Sequence, residues 1–369
     1  MKRRTLLGLS AALPILAARA TRAAAALGGS GHVGPTNLIT DVAGLTVGEA
    51  HDTRVRTGVT ILLPDRRVAC AVDVRGGGPG TRETDALTAG NLVRSIDAIV
   101  LSGGSVYGLA SADGVAAWLG ARGRGFSMTK QPGVPPSPIV PTAILFDLAN
   151  GGDKNWGLNP PYRDLALKAM DHPTRDIALG TAGAGYGAQA GALKGGLGSA
   201  SFVTADGMTV GALVAVNSLG SVVVPGTRHF WAGAFEMGRE FGGLGAGTAH
   251  VDPEDWGRAK FNPAARANTT IACIATDADL DADDLKRVAM MAQDGMARAI
   301  RPVHSPFDGD VIFALSTGRR PLPPGSRPLH VARLGALAAD TLSRAVARGV
   351  YEATLPPGMG IPTWKNLPD

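Results

Sequence analysis

Asn268-Thr269-Thr270-Ile271-Ala272-Cys273-Ile274-Ala275-Thr276 is an apolar, β-branched run that predicts a strand over residues 270–275. Residues 238–268 before it are rich in glycine, contain Pro253 and Pro263, and show no sustained periodicity. That composition is typical of a flexible linker or an exposed loop. A loop that ends at Asn268 exposes a carbonyl group, while the strand that follows holds the Thr269 hydroxyl in place.

Further strands and helices are predicted on both sides of this run. Apolar segments predict strands, and amphipathic segments with acidic first turns predict helices. The strands are 58–63, 69–74, 98–101, 176–179, 211–216, 221–224 and 311–315, and the helices are 84–96, 105–119, 281–299 and 341–350. Because strands and helices do not alternate strictly, the pattern indicates a layered α+β fold and not a doubly wound sheet.

The first 25 residues have the layout of a secretory signal peptide. Lys2, Arg3 and Arg4 lead into the apolar stretch 6–18, and small residues follow around position 23. The adjacent arginines favour the twin-arginine route, so we expect an exported, periplasmic protein. An uncleaved membrane anchor is the alternative, but Pro14 and Arg19 dilute the apolar run, and we expect no stable membrane insertion.

Composition excludes several classes of function. The formal net charge is +5, but five of the basic residues lie in the predicted signal peptide, so the mature chain is near neutral and nucleic-acid binding is not expected. The histidines are scattered without metal-ligand spacing, and neither a metal site nor a cofactor is predicted. Cys70 and Cys273 lie in apolar runs and are expected to be buried free thiols, with a disulfide as the alternative.

Several common catalytic motifs are missing. Residues 103–107 fail the G-x-S-x-G pattern at Tyr107, and there is no phosphate-binding loop. Residues 183–188 imitate part of a dinucleotide fingerprint, but no clear helix and no acidic ribose partner follow. Because these motifs are missing, we consider threonine as a possible nucleophile.

Thr269 is a candidate nucleophile because a cut before it would free its α-amino group. A threonine hydroxyl is a weak nucleophile by itself and needs a base close by. An N-terminal α-amino group has a suitable pKa and would lie on the same residue. The hydroxyl could also make the cut, by attacking the Asn268 carbonyl. The alternative from the residues alone is an ordinary turn at Asn268 followed by a strand.

Asp308-Gly309-Asp310 is a second candidate. If strand 311–315 extends back over it, both carboxylates share one face, where they could position the Thr269 amine and shift its pKa. A simple β-turn is the alternative.

Seven blocks together resemble the P1 family of peptidases, which includes L-aminopeptidase/D-esterases, β-peptidyl aminopeptidases and nylon-oligomer hydrolases. The most distinctive is Arg75-Gly76-Gly77-Gly78-Pro79-Gly80-Thr81-Arg82-Glu83-Thr84-Asp85. The blocks lie at 74–85, 101–109, 138–141, 193–200, 214–217, 268–271 and 304–310.

This resemblance implies a four-layer αββα sandwich like that of N-terminal-nucleophile hydrolases. It also implies one catalytic domain, 37–369, which is autocleaved between Asn268 and Thr269 into chains 26–268 and 269–369 that assemble into homo-oligomers. The substrate would be a small peptide or peptide-like amide. Thr269 would be the nucleophile, Asn217 a donor to the oxyanion or to the threonine, and Asp308 and Asp310 the carboxylates that orient the amine.

Two further residues depend on the branch of the family. Lys194 matches a lysine of the nylon-hydrolase branch that could stabilise developing negative charge, with a surface lysine in a Gly-rich loop as the alternative. A substrate-side tyrosine of several members falls near Phe146, which lacks the hydroxyl. Aminopeptidase members often use serine as the nucleophile and a Ser/Glu pair where this chain has Asp308 and Asp310. The chain is therefore more similar to the threonine branch.

Two other functions remain open. An acyltransferase on the related fold of ornithine acetyltransferases would pass the acyl group to an amine instead of water. An unprocessed periplasmic binding protein on the same scaffold would remain a single chain.

Overall fold

Strands and helices are distributed over most of the chain. The structure is a computed structural model that describes residues 31–88, 90–129, 131–260 and 268–368. The predicted signal peptide 1–25 and residues 261–267 of the segment before Asn268 lie outside the described residues. None of the described helices is long and apolar enough to cross a membrane.

Thirteen strands and four α-helices are described. The strands are β1 (Leu45–Asp52), β2 (Thr57–Pro64), β3 (Val68–Val74), β4 (Thr81–Arg82), β5 (Ser95–Ile96), β6 (Ile99–Ser102), β7 (Thr142–Ile144), β8 (Gln189–Ala190), β9 (Leu193–Lys194), β10 (Gly196–Val203), β11 (Thr209–Asn217), β12 (Thr269–Ala278) and β13 (Val311–Arg320). The helices are α1 (Ser111–Gly120), α2 (Tyr162–Asp171), α3 (Ala282–Ala299) and α4 (Arg327–Tyr351).

Two mixed sheets carry the architecture. One has the order β10-β11-β12-β13-β3-β5 and the other β1-β2-β6-β7-β4, while β8 and β9 form a separate hairpin. The pairs β12–β13 and β6–β7 are parallel, and the other neighbours are antiparallel. Helix α3 makes the crossover between β12 and β13, as parallel neighbours require.

The sheets face each other, and helices cover their outer faces. Leu213, Cys273 and Phe313 of the first sheet are buried in one core with Leu62 and Leu101 of the second. Helices α3 and α4 pack on the outside of the first sheet, and α1 and α2 on the outside of the second. The predicted α+β, four-layer αββα sandwich is confirmed.

Several predicted elements are confirmed and others are wrong. Strands β2, β3, β6, β11, β12 and β13 and helices α1 and α3 lie where expected, and α4 extends far beyond 341–350. Segment 84–96 is not a helix: it holds a short 3-10 turn, Asp85–Leu87, and the edge strand β5. Gly90 has φ +90°, a left-handed conformation that stops a helix. Segments 176–179 and 221–224 are not strands. Isolated bridges occur at Gly180, just after the first segment, and at Ser221 and Val223 within the second.

The described part of the predicted linker is packed against the fold. Phe241 is buried and its ring lies edge-on to Phe230, and Glu240 forms an ion pair with Arg344 of α4. Residues 238–260 contain no helix or strand and most of them are exposed or partly exposed, so the exposed-loop alternative describes them, while the contacts of Glu240 and Phe241 do not fit a flexible linker. Cys70 and Cys273 are free and buried, as expected.

Candidate active site

Thr269 is the first residue of β12, in the interior of the six-stranded sheet. Strand β11 pairs with β12 so that Asn217 lies opposite Thr269. Thr269 is 2% exposed, and its hydroxyl donates a hydrogen bond to the carbonyl oxygen of Asn268. The hydroxyl thus lies beside the carbonyl group of the bond that precedes it. Asn268 is also fully buried, with neither atom of its side-chain amide hydrogen-bonded.

A turn, and not an extension of β13, brings Asp308 and Asp310 to Thr269. Strand β13 begins at Val311, so it does not extend back over the two carboxylates, and the β-turn alternative is the one observed. Asp308 N donates to Ser305 O at 3.1 Å, which closes a turn. The turn gives both side chains to the site although they do not share a strand face.

Each carboxylate is held by main-chain donors. Asp310 Oδ1 accepts from Thr270 N at 2.7 Å, and Oδ2 accepts from His304 N at 3.1 Å and lies 2.8 Å from His304 Nδ1. Asp308 Oδ1 accepts from Leu219 N at 3.1 Å, and Oδ2 accepts from the Ser305 N and Oγ. Burial, and next the negative charge of Asp310, raise the pKa of Asp308 above its usual value.

The glycine run of the distinctive block supports this turn. Arg75 N donates to Asp310 O at 3.0 Å, Gly77 N to Ser305 O at 3.2 Å, and Gly78 N to Asp308 O at 2.8 Å. A Cβ on Gly76 would lie 2.2 Å from Asp310 N, so only glycine allows this approach. The block therefore acts as a main-chain cradle for the two aspartates.

Asn217 links Thr269 to Phe146. Its Nδ2 donates to the main-chain oxygen of Phe146 at 3.0 Å, and its Oδ1 accepts from Gln189 N at 2.9 Å. Phe146 is partly buried just after β7, so the predicted substrate-side residue lies next to the predicted donor. The next residue, Asp147, is buried, accepts from Thr57 Oγ1 and Gly104 N, and has its pKa raised to about 6 by burial.

Lys194 is buried and not a surface residue. Its Nζ donates to the carbonyl oxygens of Gly185 and Ala188 at 3.0 Å each and of Gly195 at 2.6 Å. Burial lowers its pKa to about 7, while the charge of Asp147 acts in the opposite direction. Three main-chain carbonyls thus occupy the three donors that an ammonium group has.

Two residues of the site were not anticipated from the sequence. Lys260 Nζ donates to Asn217 O at 3.3 Å. The residue as a whole is partly exposed, but desolvation of its ammonium group lowers the pKa of Lys260 to about 7, partly offset by the charge of Asp308. His304 lies against Asp310, and its Nε2 is buried without a hydrogen-bond partner. His304 belongs to the 304–310 block, whereas Lys260 stands alone in an aperiodic segment with no signal in its spacing.

The arrangement contains the parts of a nucleophilic hydrolase. A hydroxyl lies beside a carbonyl, two carboxylates lie at the start of β12, and two lysines have pKa values lowered toward neutrality. The described residues contain no group of three or more His, Cys, Asp or Glu side chains able to hold a metal ion.

Comparison with known proteins identifies the family. The sequence profile of peptidase family S58 matches residues 37–360. The chain belongs to this family. It is 43% identical to an uncharacterised aminopeptidase of Mycobacterium tuberculosis (strain ATCC 25618 / H37Rv), over 90% of this chain and 98% of that protein. It is 29% identical to the 6-aminohexanoate-oligomer endohydrolase of Kocuria sp. (strain KY2), over 85% of this chain and 86% of that protein.

The fold of this S58 peptidase is similar to solved structures. The L-aminopeptidase D-Ala-esterase/amidase of Ochrobactrum anthropi, a variant of the Ntn hydrolase fold, superposes with a TM-score of 0.64. The match covers 89% of this chain and 90% of that chain at 24% identity. The resemblance to the P1 family of peptidases is confirmed, and so is the sandwich that it implied.

Proposed function

We propose that this S58 member is an N-terminal-threonine hydrolase that cuts itself between Asn268 and Thr269. The resulting chains 26–268 and 269–369 then hydrolyse amide bonds of small peptides or peptide-like amides. Family membership and the names of the relatives, an aminopeptidase and an amide-oligomer hydrolase, support the reaction class. The contact between the Thr269 hydroxyl and the Asn268 carbonyl oxygen supports the position of the cut.

Self-cleavage begins with attack of Thr269 Oγ on the carbonyl carbon of Asn268. A bond forms between that oxygen and the carbon, the C–N bond to Thr269 breaks, and the hydroxyl proton moves to the released amine. Water then hydrolyses the ester and leaves a carboxylate on Asn268. Burial of Asn268 and Thr269 favours this course because it keeps bulk water from the amide before the ester forms.

Turnover uses the amine that the cut creates. The free α-amino group of Thr269 takes the proton of its own hydroxyl, and the oxygen attacks the substrate carbonyl carbon. The substrate C–N bond breaks, its nitrogen takes the proton from the α-amino group and leaves as a free amine, and an acyl ester remains on Thr269. Water then hydrolyses the ester, which releases the acid and restores the hydroxyl. Asp310, already bonded to Thr270 N, is suited to orient the α-amino group of Thr269, with Asp308 beside it.

Asn217, which pairs with Thr269, is suited to donate to the oxyanion, and Phe146, whose main-chain oxygen accepts from Asn217 Nδ2, is suited to contact the acyl group. Lys194 would have to release one of its three carbonyl contacts to donate to the oxyanion.

Two broader properties belong to the same proposal. The protein is exported to the periplasm by the twin-arginine route. Because this route carries folded proteins, the chain can fold and cut itself before export. The processed units assemble into homo-oligomers. Both are tested by locating the mature protein in cell fractions and by measuring its mass in solution.

Intact-mass measurement with N-terminal sequencing tests the cut. We expect the wild-type chain to give a small fragment that begins at Thr269, and Thr269→Ala to remain a single uncut chain because it lacks the hydroxyl. Thr270→Val is a matched control, since the Thr270 hydroxyl is buried without a hydrogen-bond partner and valine keeps its shape. That variant should still be cut before residue 269.

Two results contradict the proposal. One is a wild-type protein that stays full-length under native conditions, which would favour the binding-protein alternative. The other is a Thr269→Ala chain that still splits before residue 269. Adding amine acceptors to a hydrolysis assay separates hydrolysis from acyl transfer, because a transferase would form the new amide.

A further inference from the structure

Lys260 is bound at two points to the end of β11, the strand that faces Thr269. Its main-chain N donates to Leu219 O at 2.9 Å, and its Nζ donates to Asn217 O at 3.3 Å. Asn217 is the residue that pairs with Thr269 across β11 and β12. The ammonium group of Lys260 is therefore held near the start of β12 by the main chain on which the site is built.

Asp308 is hydrogen-bonded to Leu219, the residue that also accepts from the main chain of Lys260. Leu219 N donates to Asp308 Oδ1 at 3.1 Å, while Leu219 O accepts from Lys260 N at 2.9 Å. One peptide segment thus links the lysine and the aspartate. The carboxylate of Asp308 acts electrostatically on the Lys260 ammonium and favours its charged form.

The two aspartates need a positive charge nearby. Asp308 and Asp310 are both buried, and the charge of Asp310 disfavours ionisation of Asp308. Because electrostatic coupling is reciprocal, a charged Lys260 in turn favours the ionised form of Asp308. Lys194 is held elsewhere, because its Nζ donates to three main-chain carbonyls and the charge of Asp147 acts on it.

We propose that Lys260 is the counter-charge of Asp308 in the uncut chain, a positioning residue that keeps Asp308 ionised beside Asp310 while the chain cuts itself. This inference rests on the proposed self-cleavage before Thr269. Before the cut, Thr269 has no α-amino group, so the positive charge that the new amine brings later is not yet present. The His304 ring lies against Asp310 Oδ2, whereas Asp308 accepts from Leu219 N and from the Ser305 N and Oγ, which are uncharged donors. Lys260 supplies that positive charge from the large chain.

The proposal fixes the sign of a pH dependence. Burial raises the pKa of Asp308, so the rate of self-cleavage should rise with pH as this carboxyl loses its proton. Burial lowers the pKa of Lys260 to about 7, so the rate should fall again as pH rises through that value and the ammonium becomes neutral. A Lys260 amine acting as the base would give the opposite sign, with a rate that rises through its pKa.

Self-cleavage of newly made full-length chain tests the role of the charge. The precursor is produced in a short cell-free synthesis, chased at a series of pH values, and its fragments are separated on denaturing gels. We expect Lys260→Met to slow the cut by at least about tenfold at neutral pH. Its profile should lose the alkaline fall, and its acid limb should move to higher pH. Lys260→Arg keeps the charge, so it should cut at a rate within about threefold of wild type, with the alkaline fall shifted upward.

Lys286→Met is the matched control. Lys286 Nζ also donates to a main-chain oxygen, that of Val72 at 2.7 Å, and also pairs with a carboxylate, that of Asp73 at 2.8 Å, but it lies in α3 beside β3. This variant should cut at the wild-type rate. Circular dichroism and thermal unfolding of each substitution in the uncut Thr269→Ala background exclude misfolding as the cause of a slower cut.

The outcomes distinguish this inference from the proposed function. Lys260→Met cutting at the wild-type rate with an unchanged pH profile overturns the inference and leaves self-cleavage standing. Lys260→Arg failing as badly as Lys260→Met while folded also overturns it, because the charge alone would not suffice. Absence of any cut in the wild-type chain overturns the proposed function itself.

Discussion

Gly309 lies between the two aspartates and against the Thr269 hydroxyl. A Cβ at this position would lie 2.7 Å from Thr269 Oγ1 and 2.9 Å from Gly78 O, both closer than van der Waals contact. Gly309→Ala must therefore displace the hydroxyl or the glycine cradle. We expect it to lose about 1–3 kcal/mol of unfolding free energy. We also expect self-cleavage at least about tenfold slower than wild type, because the nucleophile is misplaced.

A time course of the cut and denaturant unfolding of the same sample check this prediction. Gly120→Ala, at the end of α1, is the control, because a Cβ there meets nothing nearer than Pro138 Cγ at 3.9 Å. It should cut normally and unfold at the wild-type midpoint or slightly above. Gly309→Ala cutting as fast as Gly120→Ala would show that the hydroxyl tolerates the added carbon.

Residues of the site differ in how far the sequence predicts them. Thr269, Asp308 and Asp310 stand in contiguous blocks, so motif and chemistry indicate them together. The position of Lys260 in the site depends on the fold, which brings an aperiodic segment next to the end of β11. No local sequence pattern predicts that contact. The buried state of Lys194 is equally non-local, since it depends on carbonyls of the 185–188 turn.

Helix α4 is joined to the large-chain part of the molecule by a buried ion pair. Arg344 is 2% exposed, and its guanidinium donates to both carboxylate oxygens of Glu240, at 2.6 and 2.9 Å, and to Ser201 O at 2.9 Å. Arg344→Met removes this cation and leaves Glu240 buried without it. We expect a loss of about 3–5 kcal/mol of unfolding free energy, as for other broken buried pairs.

Arg333→Met on the same helix is the control for this prediction. Arg333 pairs with Asp206 at 2.6 Å, but both side chains are partly exposed, so we expect a change of less than about 1 kcal/mol. Denaturant unfolding of the uncut Thr269→Ala background compares the two without interference from cleavage. Equal midpoints for the two variants would mean that the Glu240 pair stabilises no more than a surface pair.

Two strands that the sequence does not predict, β1 and β10, contain glycines that make contacts between layers of the fold. Strand β10 lies within a Gly-rich run that gives no strand signal. Its Gly198 lies directly against α4, where a Cβ would be 1.9 Å from Ala345 O. Strand β1 has a similar glycine, Gly48, facing α2. These glycines allow a helix to pack closely against the strand. Strand propensity reflects only the local amino-acid sequence, so a strand that contains such glycines resembles a loop in the sequence.

The order of strands decides how the two chains stay together once the bond before Thr269 is cut. Strands β12 and β13 of the 269–369 chain lie in the middle of the six-stranded sheet, with β11 on one side and β3 on the other. Both of those strands belong to the 26–268 chain. Helix α4 packs over β10 and β11 as well. The boundary between the two chains that the proposed cut would create is therefore made of hydrophobic core and of main-chain hydrogen bonds between strands, and not of a surface contact.

The processed protein should consequently behave as one unit that unfolds in a single step. Both fragments should elute together in size-exclusion chromatography in native buffer and separate only in denaturant. Because unfolding of the cut form releases two chains, its midpoint should rise with protein concentration more steeply than that of uncut Thr269→Ala. Fragments that separate in native buffer at micromolar concentration, or midpoints with the same concentration dependence in both proteins, would contradict a core shared between the chains. Strands β12 and β13 cannot leave the middle of the sheet without exposing β11 and β3, so partial dissociation that leaves either chain folded is not expected.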